Sequence, residues 1–483
     1  MGAPRPSSRW WPIAATVVPA LLALAVGLWG IRREGTLWGD EAVTYEMAHR
    51  SVAGIWRTLG TVDAVHGLYY LLMHALFALH DGGLTTLRLP SVLATSAAAA
   101  GVGLIGHRVA GPRAGLFAGL VMPLLPAVQR YAQEGRSYAL VCALVVWATW
   151  LLLAGRWTGY GAVMLAACLL HEFAVLAVVA HGVTVFARRA GQRGFPLSRR
   201  AFTWAAGGVA AGLAPLAVFS TTQSAQVEWI GRPGVSTLAG YAALTAAALV
   251  CRRFRPAPGV RALALPLLLV PSWLLLAVSY IHPLYVDRYV LFCSAGLALL
   301  TGAVLDRSFP DRSCPDRAVL DHCWSRAVAL VAVVAALGAL LPVSLELRTP
   351  QSRKNDVTAV SAAVEAAGHA GDGLLFTPAR RRVWTLWRPA DFRGLTDLSL
   401  GRAPRSSHTL SGTELPPDRI RDRILAAPRI VVVSDLPGQP LDTDAREAVK
   451  RRTLRTYFVS CGSREITSAL ITVYARPGGC PPT

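Results

Sequence analysis

The sequence predicts a polytopic α-helical membrane protein of about eleven transmembrane helices, with a small C-terminal α/β domain outside the membrane. Three observations lead there. The 483 residues are 53% hydrophobic and only 16% charged, whereas soluble domains run near about 25% charged. Apolar runs such as 91–106, 114–128, 139–154 and 327–343 recur along the chain, and their lengths suit a bundle in which inner helices bury against neighbours instead of lipid. Basic residues gather in short clusters between those runs, the pattern of cytoplasmic loops.

That pattern also disposes of the obvious alternative for a net charge of +20. A nucleic-acid binder gathers its cations on one soluble face, and here they are dispersed among spans. Lysine occurs only at Lys354 and Lys450. Cys314 and Cys323 flank His322 but lack the paired spacing of a zinc site. Cys461 and Cys480 can pair if the tail is extracytoplasmic.

The elements follow in order. Residues 11–30 read as a retained first span, with Arg5 and Arg9 holding the N-terminus in the cytoplasm. Residues 31–90 then lie outside, and 41–56 read as a short amphipathic helix, with Val43, Met47 and Ile55 apolar against Glu46, His49 and Arg50. The apolar stretch 68–80 has thirteen residues. As a helix it reaches about 20 Å, too short for a core of about 30 Å, so it is read as juxtamembrane.

With that assignment, residues 91–106 run inward to Arg108 and Arg113, 114–128 return, and 129–136 are external. Spans at 137–154, 158–170 and 173–187 lead to an internal loop with Arg188, Arg189, Arg193, Arg199 and Arg200. Spans at 201–219 and 237–250 lead to Arg252, Arg253, Arg255 and Arg261, also internal. Residues 262–281 exit and 289–305 return, to a loop with Arg307, Arg312, Arg317 and Arg326; 327–343 exit last. Arg32 and Arg33 alone break the positive-inside pattern.

The division into domains falls at 1–348 and 349–483. In the tail, 356–368, 417–426 and 442–454 read as helices, and 373–377, 430–433 and 469–475 as strands. Alternation of the two predicts a small α/β domain, a candidate either for acceptor binding or for packing over the site as a lid.

Several polar groups fall outside, at span ends. They are Asp40-Glu41, the stretch from Asp63 through His66 to Tyr69 and Tyr70, the stretch Arg130 to Tyr138 with Glu134 and Arg136, His171-Glu172, and His282 to Tyr289 with Asp287 and Arg288. Each has a plain structural reading. Asp40 can cap a helix; Arg288 can pair with Asp287 or snorkel; Arg130 and Arg136 can balance Glu134. His171 can serve a helix-end carbonyl, His66 a turn, and Asp63 is an ordinary loop acid. Their joint placement favours chemistry. A carboxylate serves as base for a hydroxyl acceptor, and arginine forks hold a phosphate.

The motifs W-x-D-E-A from Trp38, D-x-x-H-x-x-Y-Y from Asp63, R-L-P-S from Arg88 and Y-x-Q-E-x-R-x-Y from Tyr131 resemble those of the polyprenyl-phosphate-sugar-dependent membrane glycosyltransferases of C-type fold, which include the protein O-mannosyltransferases and aminoarabinose transferases. The resemblance covers roughly residues 30–180. It implies inverting transfer of a sugar, mannose by analogy, from a polyprenyl phosphate to a cell-envelope glycan, lipid or protein at the outer face of the cytoplasmic membrane. Asp40 would be the base and Glu41 its support. Arg130, Arg136 and Arg288 would hold the phosphate, with His66, Tyr69, Glu134, Tyr138 and His171 shaping the pocket. The family often has two prolines after the histidine, where this chain has Gly67, which implies a looser turn at His66. The resemblance implies no required cofactor. A divalent cation at Asp40 and Glu41 stays open, but adjacent helical residues point about 100° apart, so sharing one needs a non-helical backbone. The alternatives are a non-catalytic scaffold, or a lipid or sugar transporter with inverted repeats and mid-membrane acids.

Overall fold

The computed structural model describes residues 10–187, 197–227, 229–250, 257–308, 331, 335 and 338–480. Arg5, Arg9, Arg188, Arg189, Arg193, Arg252, Arg253, Arg255, Arg312, Arg317, Arg326 and the Cys314–His322–Cys323 group lie outside the described residues, as does most of 327–343.

In chain order the helices are α1 (Trp10–Leu28), α2 (Gly39–Ala48), α3 (Val52–Leu59), α4 (Gly67–Leu79), α5 (Leu84–Ala110), α6 (Pro112–Val121) and α7 (Pro126–Ala132). They continue as α8 (Tyr138–Leu153), α9 (Trp157–Leu170), α10 (Val175–Phe186), α11 (Arg199–Thr221), α12 (Val235–Val250), α13 (Pro258–Ile281) and α14 (Cys293–Ser308). In the tail lie α15 (Val357–Ala367), α16 (Pro417–Ala426) and α17 (Ala445–Tyr457). The strands are β1 (Gly373–Thr377), β2 (Thr396–Asp397), β3 (Leu400–Arg402), β4 (Thr413–Glu414), β5 (Arg429–Ser434), β6 (Val459–Ile466) and β7 (Ala469–Ala475).

Some expected elements are interrupted, each for a local reason. The helix expected over 41–56 is two helices, because Ser51 starts α3 by accepting from the Gly54 amide at 3.1 Å. The expected span 114–128 breaks at a 3-10 turn, Met122–Leu124, where Pro123 and Pro126 remove amide donors. The span expected from 289 starts at Cys293, after a 3-10 turn at Asp287–Val290. Four described helices, at Trp10–Gly35, Leu84–Ala110, Arg199–Thr221 and Pro258–Ile281, are long and apolar enough to cross a membrane. Apolar helices of 10–17 residues stand beside them in sequence. The chain is a multi-pass helical membrane protein with an α/β tail.

The described chain forms two compact units. The first comprises residues up to Ile31, Ala64–Tyr69 and Arg88–Leu347. Its helices cross on small residues, as close-packed membrane helices do. A Cβ at Gly103 of α5 would lie 1.8 Å from the Ala15 carbonyl of α1, and one at Gly302 of α14 would lie 2.4 Å from the Ala118 amide of α6. Larger residues there would force the helices apart. Trp10, Trp204, Val218 and Ile281 face outward, as lipid contact requires.

The second unit takes in Arg32–Asp63, Tyr70–Leu87 and Arg348–Thr483. Its sheet has the order β2-β1-β5-β7-β6, with β1 parallel to both β2 and β5 and β7 antiparallel to its neighbours. The central strand β5 is buried on both faces, which is why it reads as an unbroken β-branched run. Leu375, Ile420, Ile424, Ile430 and Leu454 form the core. Strand β6 escaped the sequence reading because most of its residues are exposed, leaving no apolar alternation to see.

Cys461 and Cys480 form a disulfide across 19 residues, a loop for which chain entropy gives about 3 kcal/mol. Cys461→Ser is expected to destabilise the second unit by about that amount, measured by thermal unfolding. Free thiols at both positions in unreduced peptide mass spectra would contradict the bridge.

Candidate functional site

In the first unit the site is built from loop ends. Ser91, the last residue of R-L-P-S, donates its hydroxyl to the Glu134 carbonyl at 2.6 Å and lies 3.2 Å from the Arg136 carbonyl. Gln133 donates to the Gly27 and Trp29 carbonyls at 2.9 and 2.6 Å, and Arg88 to the Ile31 carbonyl at 2.7 Å. These bonds tie the Tyr131–Tyr138 motif to the ends of α1 and α5, so several motif residues hold backbone in place. Glu134 and Arg136 are buried there, and Arg130 is half-buried near the end of α7.

Around this loop the predicted aromatic and basic residues converge. Arg288 donates from Nε to the Tyr138 hydroxyl at 2.9 Å and lies over the Tyr138 and Tyr289 rings at 5.5 and 5.7 Å, a cation–π arrangement. Asp287 instead takes the Tyr131 hydroxyl, at 2.9 Å. His66 packs 5.7 Å from His171 and 6.4 Å from Tyr138, and His171 lies 4.5 Å from Tyr289. Tyr69 is fully buried in α4. The His66 turn is held by Gln223, which accepts from the Ala64 amide at 3.0 Å.

Both histidines are buried, and their affinity for protons is depressed well below normal. For His66 the causes are desolvation and then the charges of Arg136 and Arg288; for His171 they are desolvation, His66 and the same two arginines. The imidazoles are therefore neutral in a positive field. The buried Nδ1 of His171 meets no hydrogen-bond partner among the described residues.

A pH dependence follows. Unfolded, each imidazole takes up a proton below about pH 6.5; folded, it resists. This contribution to stability is full above that pH and is lost as the pH falls toward the depressed folded values. Thermal unfolding between pH 7.5 and 5 is expected to show that loss, and His171→Gln to reduce it; an unchanged slope would contradict the assignment.

Beside the histidines lies a cavity of about 750 Å³ whose lining includes His66, His171, Glu172, Gln223, Gln226 and Tyr289. Ser220 donates to Glu172 at 2.9 Å; burial pushes the Glu172 carboxyl up, against that bond. Sequence reasoning passed over Ser220, Gln223 and Gln226. The signal was there: a polar run at 220–226, directly after an apolar stretch.

In the second unit, Asp40 and Glu41 occupy the first turn of α2, whose N-cap is Trp38. Asp40 is thus not the capping residue. It is half-buried, at the positive end of the helix dipole. Glu41 is fully buried and accepts from Arg33 at 2.9 Å. This explains Arg33, the exception to the charge bias: it is the buried partner of an acid. Both acids sit on regular helix, and Glu41 is turned to Arg33. Glu46 and Arg50, expected on a polar face, are buried, because Glu46 takes Arg50 at 3.4 Å and Arg405 at 2.9 Å. Asp63 accepts from the Tyr70 hydroxyl. Asn355 accepts from the Gly39 amide at 2.7 Å, which fastens the start of α2.

No protein-family profile matches the sequence, and no curated protein matches it. Among solved structures, ArnT from Cupriavidus metallidurans in the apo state aligns with a TM-score of 0.56 at 12% identity, over 97% of this chain and 99% of that one. The same protein bound to undecaprenyl phosphate aligns with a TM-score of 0.55 at 12% identity and the same coverage. The archaeal oligosaccharyltransferase AglB from Archaeoglobus fulgidus, in complex with an inhibitory peptide and a dolichol phosphate, gives 0.48 at 10% identity, over 88% of this chain and 69% of that one. The structural neighbours are C-type glycosyltransferases that depend on polyprenyl-phosphate sugars, the class that the motifs resemble. The fold of this chain is that of ArnT.

Proposed function

We propose that this protein transfers a sugar from a polyprenyl-phosphate donor to a hydroxyl acceptor at the outer face of the cytoplasmic membrane, with inversion. The observation that carries the reading is the buried cluster of Arg136, Arg288 and two neutral histidines beside a large cavity, in a chain whose fold matches that of a protein solved with undecaprenyl phosphate. A positive, partly desolvated pocket suits a departing phosphate.

In this reading Asp40 of the second unit takes the acceptor's proton as its oxygen attacks the anomeric carbon. The bond from that carbon to the phosphate oxygen breaks on the opposite face. Polyprenyl phosphate leaves with the electron pair, its charge met by Arg136 and Arg288, with Arg130 in support. Glu41 positions α2 through Arg33. His66, Tyr69, Glu134, Tyr138 and His171 shape the donor pocket. The reading includes about eleven spans with the N-terminus cytoplasmic and the tail extracytoplasmic; the disulfide favours an oxidising compartment for that tail. Mannose is the proposed sugar, by resemblance, and a cell-envelope glycan, lipid or protein the acceptor. The chemistry as drawn needs no cofactor.

The test is turnover by purified protein in lipid vesicles with radiolabelled polyprenyl-phosphate mannose and a cell-envelope extract. The expected result is acceptor-dependent release of polyprenyl phosphate with label in the extract. Failure with mannose but success with another sugar would correct the donor; no transfer from any polyprenyl-phosphate sugar would overturn the reading.

A further inference from the structure

The tail carries a second cavity, of about 280 Å³, entirely within the second unit. It opens at the carboxyl ends of β1 and β5, beside Thr377 and Ser434. The chain leaves β1 toward β2 on one side of the sheet order and leaves β5 toward β6 and β7 on the other. Strand order therefore reverses between these two parallel strands, and open α/β sheets bind ligands in the crevice at such a point.

The walls indicate the chemistry. Arg451 and Arg455 both line the cavity from α17, one turn apart on the same helix face. Arg451 uses one donor on the Asp442 carbonyl at 2.6 Å, out of the five that a guanidinium offers. Two acids line the cavity. Asp435 is bound by Arg380 at 2.7 Å and by Arg381 at 2.6 Å, so its charge is already met. Asp442 is exposed to solvent, with its Oδ1 accepting from the Asp444 amide at 3.0 Å. Leu454, Leu470 and Tyr474 supply an apolar floor of the kind that receives the face of a sugar ring. Beyond β5 the loop has Pro437 and Pro440 on either side of Gly438, whose φ is +85°, a conformation glycine adopts without cost.

We propose that this crevice is a binding site for an anionic saccharide unit, a sugar ring bearing a carboxylate or a phosphate, with Arg451 and Arg455 on the anion and the Leu454–Leu470–Tyr474 floor under the ring. The proposal stands apart from the transferase reading, since binding is measured without turnover.

The experiment is an isothermal calorimetric titration of the full-length protein in detergent with glucuronate, glucose 1-phosphate, glucose and inorganic phosphate. Glucuronate or glucose 1-phosphate is expected to bind at least about tenfold more tightly than glucose, and the stronger of the two identifies the anion. The doubly substituted Arg451→Gln, Arg455→Gln protein should lose that preference, whereas Arg452→Gln, at an exposed neighbour outside the cavity lining, should keep it; melting temperatures check folding. Inorganic phosphate binding as tightly as the charged sugars would reduce the site to a simple anion contact and overturn the proposal. So would equal binding of glucose, binding unaffected by the double substitution in folded protein, or no binding by any probe. Should the double variant misfold, the comparison among the four probes on the unaltered protein decides.

Discussion

Asp40→Asn is expected to give a folded protein that transfers sugar about 10²- to 10⁴-fold more slowly, the range for loss of a general base. The two parts of that expectation rest on different features. Asp40 lies in the first turn of α2 but is not its N-cap, so the amide forfeits only the interaction of a carboxylate with the helix dipole, typically about 0.3–1 kcal/mol. The side chain is half-buried and close to isosteric, so no cavity opens. Catalysis loses more, because an amide cannot take the acceptor's proton. Turnover of the reconstituted variant and its thermal unfolding test both parts. Normal turnover would remove Asp40 from the mechanism.

Glu41 should behave in the opposite way. Its carboxylate and the Arg33 guanidinium are both buried and 2.9 Å apart. Breaking a buried pair from one side typically costs about 3–5 kcal/mol, whereas replacing both partners by apolar residues of similar volume is often neutral. Glu41→Leu is therefore expected to destabilise the second unit by that amount, and Arg33→Met combined with Glu41→Leu to restore most of it. Thermal unfolding of the three proteins decides. A single variant as stable as the parent would show that the pair does not hold α2.

Much of this architecture is legible in the sequence, because apolar runs and basic loops report on a membrane directly. The helices at 137–154 and 158–170 and the strand at 373–377 lie within a residue or so of α8, α9 and β1. What stayed hidden depended on partners far along the chain. Glu41 and Asp40 look alike as neighbours in a motif, and only the fold shows that one is committed to Arg33. Glu46 and Arg50 read as a solvated face until Arg405 arrives from the tail, 359 residues away. Asp287 and Arg288 read as a mutual pair, yet the acid takes Tyr131 and the base takes Tyr138. The cavity residues Gln223 and Gln226 belong to no motif, and their role depends on the loop folding back toward His66.

The central claim is that Arg136 and Arg288 receive the donor's phosphate. The direct test is a cryo-electron microscopy map of the protein in lipid nanodiscs saturated with polyprenyl phosphate. The account predicts phosphate density within about 3 Å of a guanidinium of Arg136 or Arg288. Phosphate density bound elsewhere on the protein, with both guanidiniums remote from it, would contradict it.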